Sequence, residues 1–148
     1  MGFVHIITDI IIDRPLQQVA SYVADPDRAT EWYKNIKSVD WKTPKPLQKG
    51  SQVTFTAQFL GRKLEYTYEF VEYEPGKRVV MKTAQGPFPM ETIYSWESLG
   101  ENQVRMMLEN KGTPSGFSAF MAPLMKMAMR NANKKDLQNL KSILEGNK

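Results

Sequence analysis

The sequence has no cysteine among its 148 residues and only one histidine. The lack of cysteine excludes disulfides, thiolate nucleophiles and cysteine-ligated metal sites. A Ser-His-Asp triad would have to use His5, and neither an HExxH motif nor a glycine-rich phosphate loop occurs. We therefore predict no metal site, no cofactor and no nucleophilic triad.

Long apolar runs are also missing. A membrane-spanning helix needs about 20 consecutive apolar residues, and the apolar run at residues 120–125 ends at Lys126. The amino terminus lacks the basic region and long apolar core of a secretory signal. We therefore predict a cytoplasmic protein without a transmembrane segment.

The charge of the chain is only slightly biased towards basic residues. Its net charge of +4 arises from 20 Lys and Arg against 16 Asp and Glu. Such a small and scattered excess does not favour a nucleic-acid partner. The one basic cluster has helical spacing, typical of a solvated helix face, and consists of Lys126, Arg130, Lys134 and Lys135. The length suits one domain with a sizeable core, and we predict a single domain over residues 1–148.

Most of the chain alternates between apolar and polar residues, which is the period of a half-buried strand. Short turns with Gly, Pro or Asn separate the alternating segments, a pattern that predicts an antiparallel meander. The sequence thus predicts a sheet of about seven strands. The predicted strands are residues 3–13, 36–41, 51–60, 63–73, 78–84, 90–98 and 103–110.

Helical patterns interrupt and follow these strands. Two short helices are predicted between the first and second strands, the second of them ending near Trp32 and Tyr33. From about Ser115, apolar residues recur every three or four positions, which predicts a terminal helix of about 30 residues. Pro123 is expected to kink this helix or to separate its first turn, and Gly146 to end it.

The predicted order is therefore one strand, two short helices, six strands and one long helix, an α+β arrangement. A curved antiparallel sheet with the long helix across its inner face accommodates this order. Because a helix about 10 Å across cannot cover so wide a sheet everywhere, we expect an internal cavity between them.

Three stretches of the sequence resemble a known superfamily in their order and spacing. They are IDRPLQQV at residues 12–19 with the following Asp25-Pro26 and Glu31-Trp32, YEFVEYEPGKR at residues 68–78, and DLQNLKSILE at residues 136–145. Together they resemble the helix-grip superfamily of START-like and birch-pollen-allergen-like proteins, and within it the polyketide cyclase/dehydrase-like (SRPBCC) branch. The resemblance covers nearly the whole chain and implies a helix-grip fold with a hollow interior. It does not define a function, because this fold hosts carriers, receptors, cyclases, co-chaperones and quinone-binding proteins.

Aromatic and methionine side chains dominate the predicted inner face. Methionine is flexible and polarizable, so a methionine-rich wall adapts to guests of different shape. Such stripes also occur in ordinary packed cores, and that alternative stays open. Met127 and Met129 are expected to point away from the sheet. The predicted ligand-binding residues are Trp32, Phe55, Phe59, Tyr66, Tyr68, Met81, Met90, Thr92, Tyr94, Trp96, Met106, Phe117, Met121, Leu124 and Met125.

These observations favour binding of a small hydrophobic molecule, such as a lipid, a quinone or an aromatic polyketide. The inner faces of the predicted strands carry no carboxylate, Lys or Arg in mid-strand, so we predict no catalytic residue and expect binding rather than catalysis. One alternative is a polyketide cyclase/dehydratase-like enzyme, which would need an inward ionisable residue or a water held by the tyrosines. The other is an interaction protein with a filled core and an exposed apolar patch, for which Ile93 and Met107 are the only hints. The oligomeric state stays open.

Overall fold

The computed structural model describes residues 4–59, 61–85, 89–112 and 122–146 of the chain. These residues contain seven strands, β1 Val4–Ile12, β2 Ile36–Trp41, β3 Gln52–Phe59, β4 Arg62–Glu74, β5 Arg78–Gln85, β6 Met90–Gly100 and β7 Gln103–Gly112. The strands form one antiparallel sheet in the order β1-β7-β6-β5-β4-β3-β2. Every pair except β1 with β7 joins neighbours in sequence, as a meander requires.

Helices occur at the two places where the sequence predicts them. Helix α1, Leu16–Ala24, a 3-10 turn at Pro26–Arg28 and helix α2, Ala29–Trp32, connect β1 to β2. Helix α3 spans Ala122–Leu144, and Pro123 is its second residue. The predicted start of this helix near Ser115 lies outside the described residues. None of the helices in the described segments is long and apolar enough to cross a membrane.

The end of α3 has the geometry that the sequence predicts. Gly146 has a φ of 76°, a conformation that glycine adopts without steric cost. Its backbone N–H donates to the carbonyl oxygen of Ile143 over 3.2 Å, which satisfies one of the last carbonyl groups of the helix.

The sheet curls around α3, and irregularities in the strand pairing contribute to this curvature. The register between β4 and β5 shifts twice, between Thr67 and Tyr68 and between Phe70 and Glu72. The β2–β3 pairing shifts between Ile36 and Ser38. Extra residues of this kind bend a strand and increase its local twist. The predicted architecture, a curved antiparallel sheet wrapped around a C-terminal helix, is confirmed.

Two separate hydrophobic clusters pack beneath α3. The larger cluster joins α1, α2 and the sheet to Leu137, Leu140 and Leu144 in the C-terminal half of α3. The smaller one contains Leu64, Tyr66 and Met125, with Tyr68, Met90 and Met129 packed against it. Helix α3 therefore joins the main core through its C-terminal half and the smaller cluster through its N-terminal half.

The C-terminal end of α3 is also tied to the loop after β1. The backbone N–H of Asp13 donates to Glu145 Oε2 over 2.7 Å, and Arg14 Nη2 donates to the Glu145 carbonyl oxygen over 2.8 Å. Lys141 Nζ donates to the carbonyl oxygen of Ile11 over 2.7 Å. These bonds fix the position of the helix end relative to β1.

Candidate functional site

A cavity of about 170 Å³ lies between the N-terminal half of α3 and the inner face of the sheet. An apolar cavity of roughly 150 Å³ can hold benzene. This one is therefore large enough for a single-ring guest. Its wall is formed by Tyr33, Asn35, Ile36, Phe55, Ala57, Leu64, Tyr66, Tyr68, Met81, Met90, Thr92, Tyr94, Asn110, Met125, Met129, Ala132, Asn133 and Asp136.

The periods of the secondary structure explain why these residues meet. On β6, Met90, Thr92 and Tyr94 are two residues apart and point to the same face of the sheet. On α3, the lining residues follow one another at intervals of one, three or four positions, which keeps them on one face of the helix.

Eight of the fifteen predicted ligand-binding residues line the cavity: Phe55, Tyr66, Tyr68, Met81, Met90, Thr92, Tyr94 and Met125. Three others, Trp32, Trp96 and Met106, are buried in the larger hydrophobic cluster and do not line it. Phe117, Met121 and the side chain of Phe59 lie outside the described residues. The part that any of these residues plays in ligand binding stays a prediction.

The predicted position of Leu124 is wrong, because its side chain is 59% exposed on the solvent side of α3. The neighbouring Met125 is 3% exposed and faces the cavity. Successive helical residues point about 100° apart, and here that rotation places Leu124 on the solvent side when Met125 faces the cavity. Met129 was expected to point away but lines the cavity. The inward face of α3 includes the polar residues Asn133 and Asp136, which a search for apolar periodicity passes over.

Two tyrosines, the partly buried Tyr33 and the buried Tyr94, form the first polar feature of the cavity. The hydroxyl oxygens of Tyr33 and Tyr94 are 2.6 Å apart and share a hydrogen bond. The ring of Trp32 stacks on Tyr33 at 3.9 Å between centroids and lies 6.1 Å from the ring of Tyr94. Burial raises the pKa of both phenols well above the ordinary value, so both are neutral hydrogen-bonding groups at physiological pH.

A chain of hydrogen bonds forms the second polar feature. Asn133 Nδ2 donates to Asn110 Oδ1 over 2.7 Å, and Asn110 Nδ2 donates to Thr92 Oγ1 over 2.9 Å. The Thr92 hydroxyl is hydrogen-bonded in turn to the Tyr68 hydroxyl. Burial raises the pKa of Tyr68 to about 12, and the bond from Thr92 opposes that rise. These hydrogen bonds join α3 to the sheet through side chains that line the cavity.

Asp136 is the one acidic side chain among the described residues that line the cavity. It is 3% exposed, and its Oδ1 accepts a hydrogen bond from the backbone N–H of Lys34 over 3.0 Å. Burial raises the pKa of this carboxyl to about 6, although the Lys34 N–H and charge act in the opposite direction. The alternation of the strands could not reveal this inward carboxylate, because it lies on the helix. Its spacing of four residues before the buried Leu140 is the signal that could have found it.

The other titratable groups considered from the sequence lie elsewhere. His5 contacts Glu109 on the outer face of the sheet, where both side chains are partly exposed. Among the residues that the structure describes, no group of three or more His, Asp or Glu side chains could hold a metal ion.

A curled antiparallel sheet that encloses a cavity beneath a C-terminal helix defines the helix-grip class of proteins. The family model described as polyketide cyclase / dehydrase and lipid transport matches residues 4–145. The chain belongs to this family, and the resemblance drawn from the sequence is confirmed. The search of curated proteins gave no match.

Solved structures share this fold at low sequence identity. A START superfamily protein from Mycobacterium smegmatis superposes with a TM-score of 0.83 at 14% identity, covering 96% of this chain and 97% of that one. The Zhui aromatase/cyclase from Streptomyces sp. R1128 superposes with a TM-score of 0.82 at 11% identity, covering 97% of this chain and 94% of that one. The ginseng major latex-like protein 151 from Panax ginseng superposes with a TM-score of 0.69 at 12% identity, covering 96% of this chain and 97% of that one. At these identities the similarity establishes the fold alone.

Proposed function

We propose that the protein binds a small hydrophobic molecule in the cavity between α3 and the sheet. The observation that supports this most directly is an internal space of about 170 Å³ lined mainly by aromatic, aliphatic and methionine side chains. Burial of a guest there would contribute about 25 cal/mol per Å² of apolar surface removed from water.

The size of the cavity narrows the choice of ligand. Pockets for drug-sized ligands usually measure about 300–1,000 Å³, so a cavity of about 170 Å³ suits one ring or one end of a longer molecule. Of the three ligand classes considered, lipids, quinones and aromatic polyketides, the members that have a single ring fit the cavity best. A cytoplasmic location stays a prediction.

The alternative of an interaction protein is not supported by the core. That alternative requires a filled interior, whereas the described part of the chain leaves a cavity of about 170 Å³ between α3 and the sheet. Of the two residues that hinted at an exposed apolar patch, Ile93 is 3% exposed and Met107 is 39% exposed. Ile93 is therefore not part of any surface patch.

Native mass spectrometry of the protein purified from its own host tests the proposed function. We expect an additional mass of a few hundred daltons or less that disappears under denaturing conditions and is recovered in an organic extract. A bare chain in the native spectrum, together with no thermal stabilisation by a panel of single-ring compounds, would contradict the proposal.

Asp136 favours catalysis as a second candidate function. A carboxylate with a pKa raised to about 6 can accept a proton near neutral pH. Neutral phenols on the same cavity can donate hydrogen bonds to an oxygen that gains charge in the reaction. This combination suits a cyclisation or dehydration that begins with removal of a proton next to a carbonyl group.

The pH dependence of turnover tests this second function. With a reactive polyketide-like substrate, the rate should rise with pH through about 6, because the deprotonated Asp136 is the active form. Asp136→Asn should abolish that rise and reduce the rate by about 100-fold or more. A variant that keeps the full rate and the same pH profile would show that Asp136 is not the base.

A further inference from the structure

We propose that the cavity selects a neutral ligand with a carbonyl oxygen, that the hydroxyl of Tyr68 and one hydroxyl of the Tyr33–Tyr94 pair donate to this oxygen, and that the cavity excludes carboxylates. This inference rests on the proposed function and specifies its ligand class. It follows from two observations: the direction of the hydrogen bonds on the cavity wall and the charges of the residues that line it.

The series of hydrogen bonds that starts at Asn133 has a defined direction. Because Asn110 Nδ2 donates to Thr92 Oγ1, the hydrogen of the Thr92 hydroxyl remains for Tyr68. Tyr68 then accepts through its oxygen and retains its own hydrogen. Tyr68 lines the cavity, so the chain ends in a hydroxyl group that can donate to a guest.

The tyrosine pair supplies a second donor. Two hydroxyl groups carry two hydrogens, and the bond between Tyr33 and Tyr94 uses one of them. Either hydroxyl can be the donor of that bond, and in each case the hydroxyl that accepts keeps its own hydrogen. Both tyrosines line the cavity, so this hydrogen is available to a guest. An oxygen that only accepts hydrogen bonds, such as that of a ketone or quinone, complements donors of this kind.

The charges on the wall exclude a carboxylate. No Lys, Arg or His is among the described residues that line the cavity, and the single carboxylic acid among them is Asp136. A buried anion without a cationic partner is strongly disfavoured, and a second anion nearby increases that penalty. A fatty acid or an aromatic acid in its ionised form should therefore not enter, whereas a neutral carbonyl compound of similar size should.

Three single-ring probes separate these possibilities: acetophenone, cumene and benzoate. Acetophenone and cumene have nearly the same shape, but only acetophenone has a carbonyl oxygen, and benzoate adds the negative charge. Affinities are measured by NMR titration at pH 8, with acetophenone labelled with ¹³C at the carbonyl carbon. The ¹³C resonance moves downfield when the oxygen accepts a hydrogen bond, which a purely structural role of the tyrosines would not produce.

We expect wild-type protein to bind both neutral probes, acetophenone about three- to tenfold more tightly, and not to bind benzoate measurably. Tyr68→Phe and the double variant Tyr33→Phe/Tyr94→Phe should each weaken acetophenone binding by about the same factor, reduce the downfield shift and leave cumene binding unchanged. Cumene binding also reports that each variant is folded. Tyr73→Phe, outside the cavity lining, serves as the matched control and should behave as the wild type.

Other outcomes would overturn the inference in distinguishable ways. If the two neutral probes bind equally in all variants and the carbonyl resonance does not move, the donor assignment is wrong while the proposed function stands. If benzoate binds as tightly as acetophenone, the exclusion of carboxylates is wrong. If none of the three probes binds, the proposed function fails and this inference fails with it.

Discussion

At pH 8, replacement of Asp136 by asparagine should raise the free energy of unfolding by roughly 2 kcal/mol. Burial raises the pKa of this carboxyl from 3.8 to about 6, which means that the fold disfavours the charged form. One pKa unit corresponds to about 1.4 kcal/mol. Asparagine removes the buried charge and retains an oxygen that can accept the Lys34 N–H.

The increase in the free energy of unfolding of Asp136→Asn should depend on pH in a defined direction. Because the pKa of Asp136 is higher in the folded than in the unfolded chain, the folded chain binds more protons between about pH 4 and pH 6. The charged Asp136 therefore lowers the free energy of unfolding of the wild type by its full amount above pH 6, and this effect disappears as the pH falls through 6 towards 4. Urea denaturation of both proteins from pH 4 to pH 8 measures the difference, which should approach zero at the acid end.

Asp27→Asn provides the matched control for this experiment. Hydrogen bonds from Lys45 and Trp41 lower the pKa of the Asp27 carboxyl, so its charged form is favoured in the folded protein. Removing that charge should slightly destabilise the protein at pH 8, with the loss fading as the pH falls through the pKa range of a carboxyl group. If Asp136→Asn is also destabilising at pH 8, the cavity does not penalise the charge and the raised pKa is not the dominant effect.

Ala132→Phe should abolish ligand binding, with a loss of affinity of about 100-fold or more for single-ring probes. Ala132 lines the cavity from α3, and a phenyl ring there would occupy the space of about 170 Å³ that a guest would fill. Because the ring enters existing space, the free energy of unfolding should be unchanged or higher. Calorimetric titration with acetophenone and urea denaturation measure the two quantities.

Asn131→Phe tests whether the effect of Ala132→Phe arises from the cavity. Asn131 is the preceding residue on α3 and is exposed to solvent. A phenylalanine there changes the composition and helix propensity of α3 but does not reach the cavity, and binding should match the wild type. Wild-type affinity in a folded Ala132→Phe protein would show that ligands bind elsewhere.

The element order of this fold could be predicted because its patterns are local. Alternation over six or more residues identifies each strand, and the change of period marks the terminal helix. The wall of the cavity was harder to predict, because strand parity assigns a face but not a position along it. Trp96 has the parity of Tyr94 and lies in the solid core, while Tyr94 lines the cavity. That distinction depends on where α3 crosses the sheet, which no local pattern specifies.

The polar residues on the wall were missed for a different reason. Asn110, Asn133 and Asp136 interrupt the apolar periods of β7 and α3, and a period search scores such residues as outward-facing. They are buried because they bond to one another, to Thr92 and to the backbone of Lys34. Partners of this kind are distant in sequence and become neighbours only in the folded chain.

Helix α3 contributes to two hydrophobic clusters. The residues in one cluster stabilise the protein, and those in the other would determine which ligand it binds. Leu137, Leu140 and Leu144 belong to the main core, whereas Met125 and Met129 belong to the small cluster at the cavity. Substitutions in the second group could therefore change ligand preference without a large loss of folding stability. The same scaffold could in this way acquire specificity for a differently shaped guest through a few changes at one end of one helix.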